Sequence, residues 1–115
     1  MEPISDEEFE SLINDALDLI PESFARSMTN MVILARPYNE DNPTLLGLFE
    51  GVPLTEQHAN HTGHLPDAVF IYKDALEAIC SDIDELRHEV KVTVFHEVGH
   101  YFGLEEDELH ELGWG

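Results

Sequence analysis

From Ile83 to Phe102 the chain repeats an apolar residue every three or four positions: Ile83, Leu86, Val90, Val94, Val98 and Tyr101. Val92, Phe95 and Phe102 widen that stripe. Val90, Val92, Thr93 and Val94 would suit a strand by propensity, but the helical period lasts too long for a strand to account for it. The run therefore predicts one long helix, too apolar late in its course to lie on a surface. Ser81 or Asp82 caps its start, and Gly103, which takes a left-handed conformation without cost, ends it. His96, Glu97 and His100 are set into its apolar end. Polar groups in such surroundings are costly unless they are paired or liganded.

His96 and His100 are four residues apart, one helical turn, and share a face. Both imidazoles can reach one ion, and Glu97 beside them is placed to take a proton from water on that ion. This spacing, H-E-x-x-H, is the mechanical basis of the zinc-protease signature. Zinc favours four ligands, and a catalytic site keeps one for water, so a third protein ligand is required. If the helix stops at Gly103, the chain can turn back under the ion. Glu106 then completes H-E-x-x-H-x-x-G-x-x-E. Asp107 is one residue on, Glu105 one before, and His110 a remoter candidate. An arrangement with a glutamate more than 20 residues past the first histidine does not fit the 15 residues that follow His100.

The rest of the chain supplies an α+β frame. Residues 5–20 read as a first helix, with Ser5 as N-cap, Glu8 three residues on as a capping box, and Phe9, Leu12, Ile13 and Ala16 on one stripe. Pro21 stops it, and 22–27 is a turn or short helical piece anchored by Phe24. Three short β-rich runs follow, over about 29–36, 45–50 and 67–72. Gly47 in the second marks a bulge or the close approach of another backbone. Either of the last two is a candidate sheet edge, along which a peptide substrate could add as a strand. A short helix over 75–80 turns Leu76, Ile79 and Cys80 inward, and 106–112 forms a last helical turn. Trp114 is expected to close the core near the C-terminus. The layout is an N-terminal helix, a small three- to four-stranded sheet and a long buried helix bearing the motif, one domain over residues 1–115.

Charge narrows the partners. The chain has 25 Asp plus Glu against 5 Lys plus Arg, a formal charge of -20. That balance argues against nucleic acid and anionic membrane, and it draws in cations and basic peptides. The single cysteine, Cys80, excludes an internal disulfide. With no leader and no membrane-length apolar stretch, a cytoplasmic location is expected. His58, His61 and His64 fall in the irregular stretch 53–66, where spacing says little about shared direction, and are expected on a surface loop.

With these residues in view, the chain resembles the small bacterial zincin-like metallopeptidases, minimal domains of matrix-metalloprotease type. The resemblance rests on Leu45–Thr55 (Leu-Leu-Gly-Leu-Phe-Glu-Gly-Val-Pro-Leu-Thr), on Leu65-Pro66-Asp67 before an apolar strand, on His96–Leu109 and on Leu112-Gly113-Trp114. It implies a compact zincin-like fold and one zinc ion at His96 and His100. In related zinc proteases the tenth residue after the first histidine is also a ligand, usually His, sometimes Asp. This family typically carries Asp at that position. Here it is Glu106, with Asp107 next to it. The resemblance further implies hydrolysis of a peptide or protein substrate, with Glu97 as general base. The alternative is a zinc-containing peptide- or protein-binding module without turnover. Larger relatives place a methionine turn beneath the metal. No Met follows Met31 here, so any methionine under the site would be Met28 or Met31. A chain this short is expected to have a shallow cleft, to which a partner protein could present the substrate.

Overall fold

The computed structural model describes residues 1–28, 31–51 and 67–114. Ser5 opens helix α1 (Asp6–Asp18), its hydroxyl accepting from the Glu8 N–H at 3.1 Å. Asp6, Glu7 and Glu8 place negative charge at the positive end of the dipole. Phe9, Leu12, Ile13 and Ala16 are buried on one face of α1, as their spacing requires. A single turn, α2 (Glu22–Ala25), follows Pro21.

Strands β1 (Met31–Arg36), β2 (Gly47–Glu50) and β3 (Asp67–Tyr72) form one sheet in the order β1-β3-β2. β3 is central, parallel to β1 (Ile33 opposite Val69) and antiparallel to β2 (Phe49 opposite Val69). Its Val69 and Ile71 are fully buried, as befits the strand with neighbours on both sides. Sequence left two candidates for the outer strand near the motif. Among the described residues, pairing makes it β2, and β3 is excluded.

Helix α3 (Lys73–Ile79) starts directly from β3 and corrects one expectation. Ile79 does not face inward but is 53% exposed, and Glu77 is buried in its place. The Glu77 carboxylate accepts from the Ile4 N–H at 2.8 Å and pairs with Lys73 Nζ at 3.2 Å. These partners make its burial tolerable.

Helix α4 (Ile83–Tyr101) is capped by Asp82, whose carboxylate accepts from the Glu85 N–H at 2.8 Å. Leu86, Val90, Val94 and Val98 are each 0% exposed and pack in one cluster with α1 and the sheet. Ile83, at 37% exposed, lies outside that stripe. Tyr101 is core, its hydroxyl donating to the Ser27 carbonyl at 3.1 Å. Gly103 (φ 78°) ends the helix: its N–H reaches the His100 carbonyl, and the Leu104 N–H reaches that of Gly99. This double closure turns the chain back sharply. Helix α5 (Glu106–Glu111) follows after Leu104 and Glu105. Among the described residues, no helix is long and apolar enough to cross a membrane.

Candidate metal centre

One turn of α4 presents both imidazoles to the same point. His96 Nε2 and His100 Nε2 lie 3.1 Å apart, with the rings at 86° to each other. The turn at Gly103 then brings α5 across the end of α4. Glu106 Oε1 lies 3.2 Å from His96 Nε2 and 3.2 Å from His100 Nε2. Two imidazole nitrogens and a carboxylate oxygen thus form a near-equilateral triangle. A ligand tetrahedron around zinc with bonds of ~2.0 Å has edges of about 3.3 Å. The triangle matches one face of that figure, and its donor set suits zinc.

The neighbours of Glu106 are occupied otherwise. Glu105 caps α5 in a reciprocal capping box with Glu108. Asp107 Oδ1 accepts from the Glu108 N–H at 3.0 Å. His110 is exposed in the last turn of α5. Of the acids the sequence left open, the fold brings Glu106 to the two imidazoles.

A second carboxylate, Glu97, lies within 4.8 Å of both imidazole nitrogens. It is placed differently from Glu106, only 8% exposed on the side of α4 that meets β2. Burial raises its pKa above the ordinary carboxylate value. The imidazoles of His100 and His96 and a hydrogen bond from the Phe49 backbone oppose that rise, and Glu106 adds to it. The Phe49 contact follows from sheet geometry. The Tyr72 N–H donates to the Leu46 carbonyl across β3–β2, and the antiparallel ladder alternates, so the Phe49 amide points away from β3. Gly47 permits this closeness: a Cβ there would lie 2.7 Å from Thr93 Cγ2 and 3.1 Å from Glu97 Cγ.

Sequence reasoning expected Trp114 to close the core here but missed the contact of Leu109 with Gly99 that holds α5 in place. Leu109, fully buried, packs directly on Gly99, where a Cβ would collide with its side chain. Trp114 follows a second left-handed glycine, Gly113 (φ 77°), and its N–H reaches the Leu109 carbonyl at 2.8 Å. Its ring packs against Phe95 and Phe24. A glycine inside an otherwise helical pattern was the available signal, since it costs about 1 kcal/mol against alanine and so marks close packing. Met28 and Met31 pack on the core, and neither lines the cleft at the triad. His58, His61 and His64 lie outside the described residues.

A cleft of about 670 Å³ opens at the triad, with β2 as one wall and Gly103–Glu106 as the other. His96, His100 and Glu106 could hold a metal ion facing this cleft.

Comparison with known proteins agrees with the geometry. A structure of a conserved hypothetical protein from Thermo thermophilus aligns over 95% of this chain and 97% of its own, with a TM-score of 0.59 and 21% identity. At that identity the likeness establishes the fold. No curated protein sequence matches the chain. The family model described as zincin-like metallopeptidase matches residues 26–114, and the chain belongs to that family.

Proposed function

We propose that this protein is a zinc-dependent metallopeptidase, with His96, His100 and Glu106 as ligands of one ion and Glu97 as general base. The observation that carries this reading is the convergence of three ligand atoms at 3.1–3.2 Å with a separate, buried carboxylate beside them. A purely structural site has no need of that fourth group.

Bound zinc would polarise the scissile carbonyl and acidify the attacking water. The Glu97 carboxylate accepts the proton of that water and delivers it to the departing amine. Burial supports this exchange by making Glu97 a better base than an exposed carboxylate. Apart from the Phe49 N–H, which bonds Glu97, the outward backbone groups of β2 give an extended peptide partners, which aligns its carbonyl with the triad. The acidic balance of the chain disfavours nucleic acid and anionic membrane and favours peptides or proteins as substrates. The activity is assigned to residues 1–115 as one unit. A reducing compartment such as the cytoplasm suits a chain whose only cysteine, Cys80, is buried and unbridged.

Metal analysis at neutral pH tests the proposal. One zinc per chain in the wild type and none in His96→Ala is expected. Glu97→Gln should keep the zinc and lose cleavage of a peptide library. Failure of the wild type to take up zinc would sink the reading.

A further inference from the structure

A second cavity, of about 540 Å³, adjoins the first and shares Leu45, Gly47, His96 and Glu97 with it. It runs along α4 away from α5, and Glu89 lines it. Glu89 precedes His96 by seven residues, so the two lie about 10 Å apart along the helix axis. Leu46 and Val92 make its walls apolar, while Asn42 and Thr44 add polar groups. Glu89 is partly buried and makes no hydrogen bond or ion pair with a described residue.

We infer that this cavity binds the side chain of a Lys or Arg in an extended peptide held at the triad, with Glu89 as its counter-charge. This rests on the peptidase reading and names its substrate class as basic peptides. A long basic side chain has the right construction: a methylene stem that packs on apolar walls and a charged tip carried well away from the backbone. A Leu side chain would suit the walls but cover Glu89 without pairing it, which is unfavourable. An acidic one would face a like charge.

The five cations of the chain leave Glu89 available. Arg26 pairs with Glu22, Arg87 with Asp84 and Lys73 with Glu77. Arg36 sits over the Phe70 ring, and Lys91 lines a separate cavity with Asp15 and Asp84. Neither cavity at the triad is lined by Lys or Arg among the described residues. An arriving Lys or Arg would therefore meet a charge-assisted partner with no competing Lys or Arg among the described residues.

The test uses zinc-loaded protein and matched peptides carrying Arg, Lys, Leu, Gln or Glu in turn at each residue around the cleaved bond. Products are read by mass spectrometry, and binding of the labelled Arg and Gln peptides to Glu97→Gln is read by fluorescence anisotropy. Arg and Lys should be favoured at least tenfold over Gln at one position. Glu89→Gln should collapse that Arg-to-Gln ratio by about tenfold in both readouts, and Glu89→Asp should restore most of it. A preference for Leu, no preference, or a ratio unchanged in Glu89→Gln would overturn the inference. The two readouts separate the readings. Turnover with equal binding of Arg and Gln peptides removes the basic pocket and leaves the peptidase. Arg-selective, Glu89-dependent binding without turnover leaves the pocket and removes the peptidase.

Discussion

Helices α4 and α5 both reach the triad, but they are held in opposite ways. α4 is a 19-residue helix anchored by four fully buried side chains, Leu86, Val90, Val94 and Val98. α5 has six residues and buries one of them, Leu109. Correspondingly, His96 and His100 are 22% and 31% exposed in their side chains, against 71% for Glu106. The imidazoles are fixed by the core. The carboxylate is delivered by a peripheral clip made of the Gly103 turn, the Leu109–Gly99 contact and the Trp114 aromatic packing. Damage to the core should therefore cost stability first, and damage to the clip should cost metal affinity first.

The largest separation is expected between chemistry on α4 and metal retention on α5. Glu97→Gln should lower turnover by about 10²–10⁴-fold, the usual contribution of a general base, while keeping one zinc. Glu106→Gln should instead weaken zinc binding by about 10–100-fold or more, the range even for groups that only support a ligand. Equilibrium dialysis and peptide cleavage on the same samples check both. Zinc affinity in Glu106→Gln equal to wild type would erase the distinction between the helices.

Next in size, Leu86→Ala should destabilise the metal-free protein by about 2–5 kcal/mol, as a cavity in a fully buried site does. Zinc affinity of its folded form should change little. Leu109→Ala should reverse the emphasis, with a smaller loss of stability and a clear loss of zinc affinity. Urea melts with chelator, paired with zinc titrations, distinguish the two. Parallel losses in both variants would mean that the clip and the core are one cooperative unit.

A smaller effect separates Glu106 from its neighbour. The Asp107 side chain bonds the first turn of α5, so Asp107→Asn should cost only about 0.3–1 kcal/mol and leave zinc binding intact. A loss of zinc as large as that of Glu106→Gln would move the ligand to Asp107.

The subtlest expectation concerns pH. Glu97 has a raised pKa in the folded chain, because burial disfavours its charged form. Between the ordinary carboxylate value and that raised value, the folded state holds more protons than the unfolded one. Stability of the metal-free protein should then fall as pH rises through that window. Glu97→Gln lacks this proton, so its melting temperature should overtake that of the wild type as pH increases. Matching slopes for the two proteins in chelator would show that Glu97 is solvated.

Legibility in the sequence followed the range of the interactions. Capping and periodicity are local, so the bounds of α1 and α4 and the pairing of His96 with His100 could be read directly. Ile79 and Glu77 could not, because their exchange depends on Ile4, 73 residues away from Glu77. The cavity beside Glu89 was equally hidden. It is a space between α4 and the segment around Leu45, and no spacing within either encodes it.

By itself, then, the sequence determined a long buried helix with two histidines and a glutamate on its apolar end, and a glycine that stops it, because helical geometry places residues three and four apart on one face. Only the tertiary structure showed that Glu106 rather than its neighbours lies beside the imidazoles, which strand is outermost among the described residues and what Glu97 touches. Those answers depend on the packing of Leu109 on Gly99 and of β2 on Thr93 and Glu97 through Gly47. Such contacts join segments whose distance apart is set by the fold as a whole.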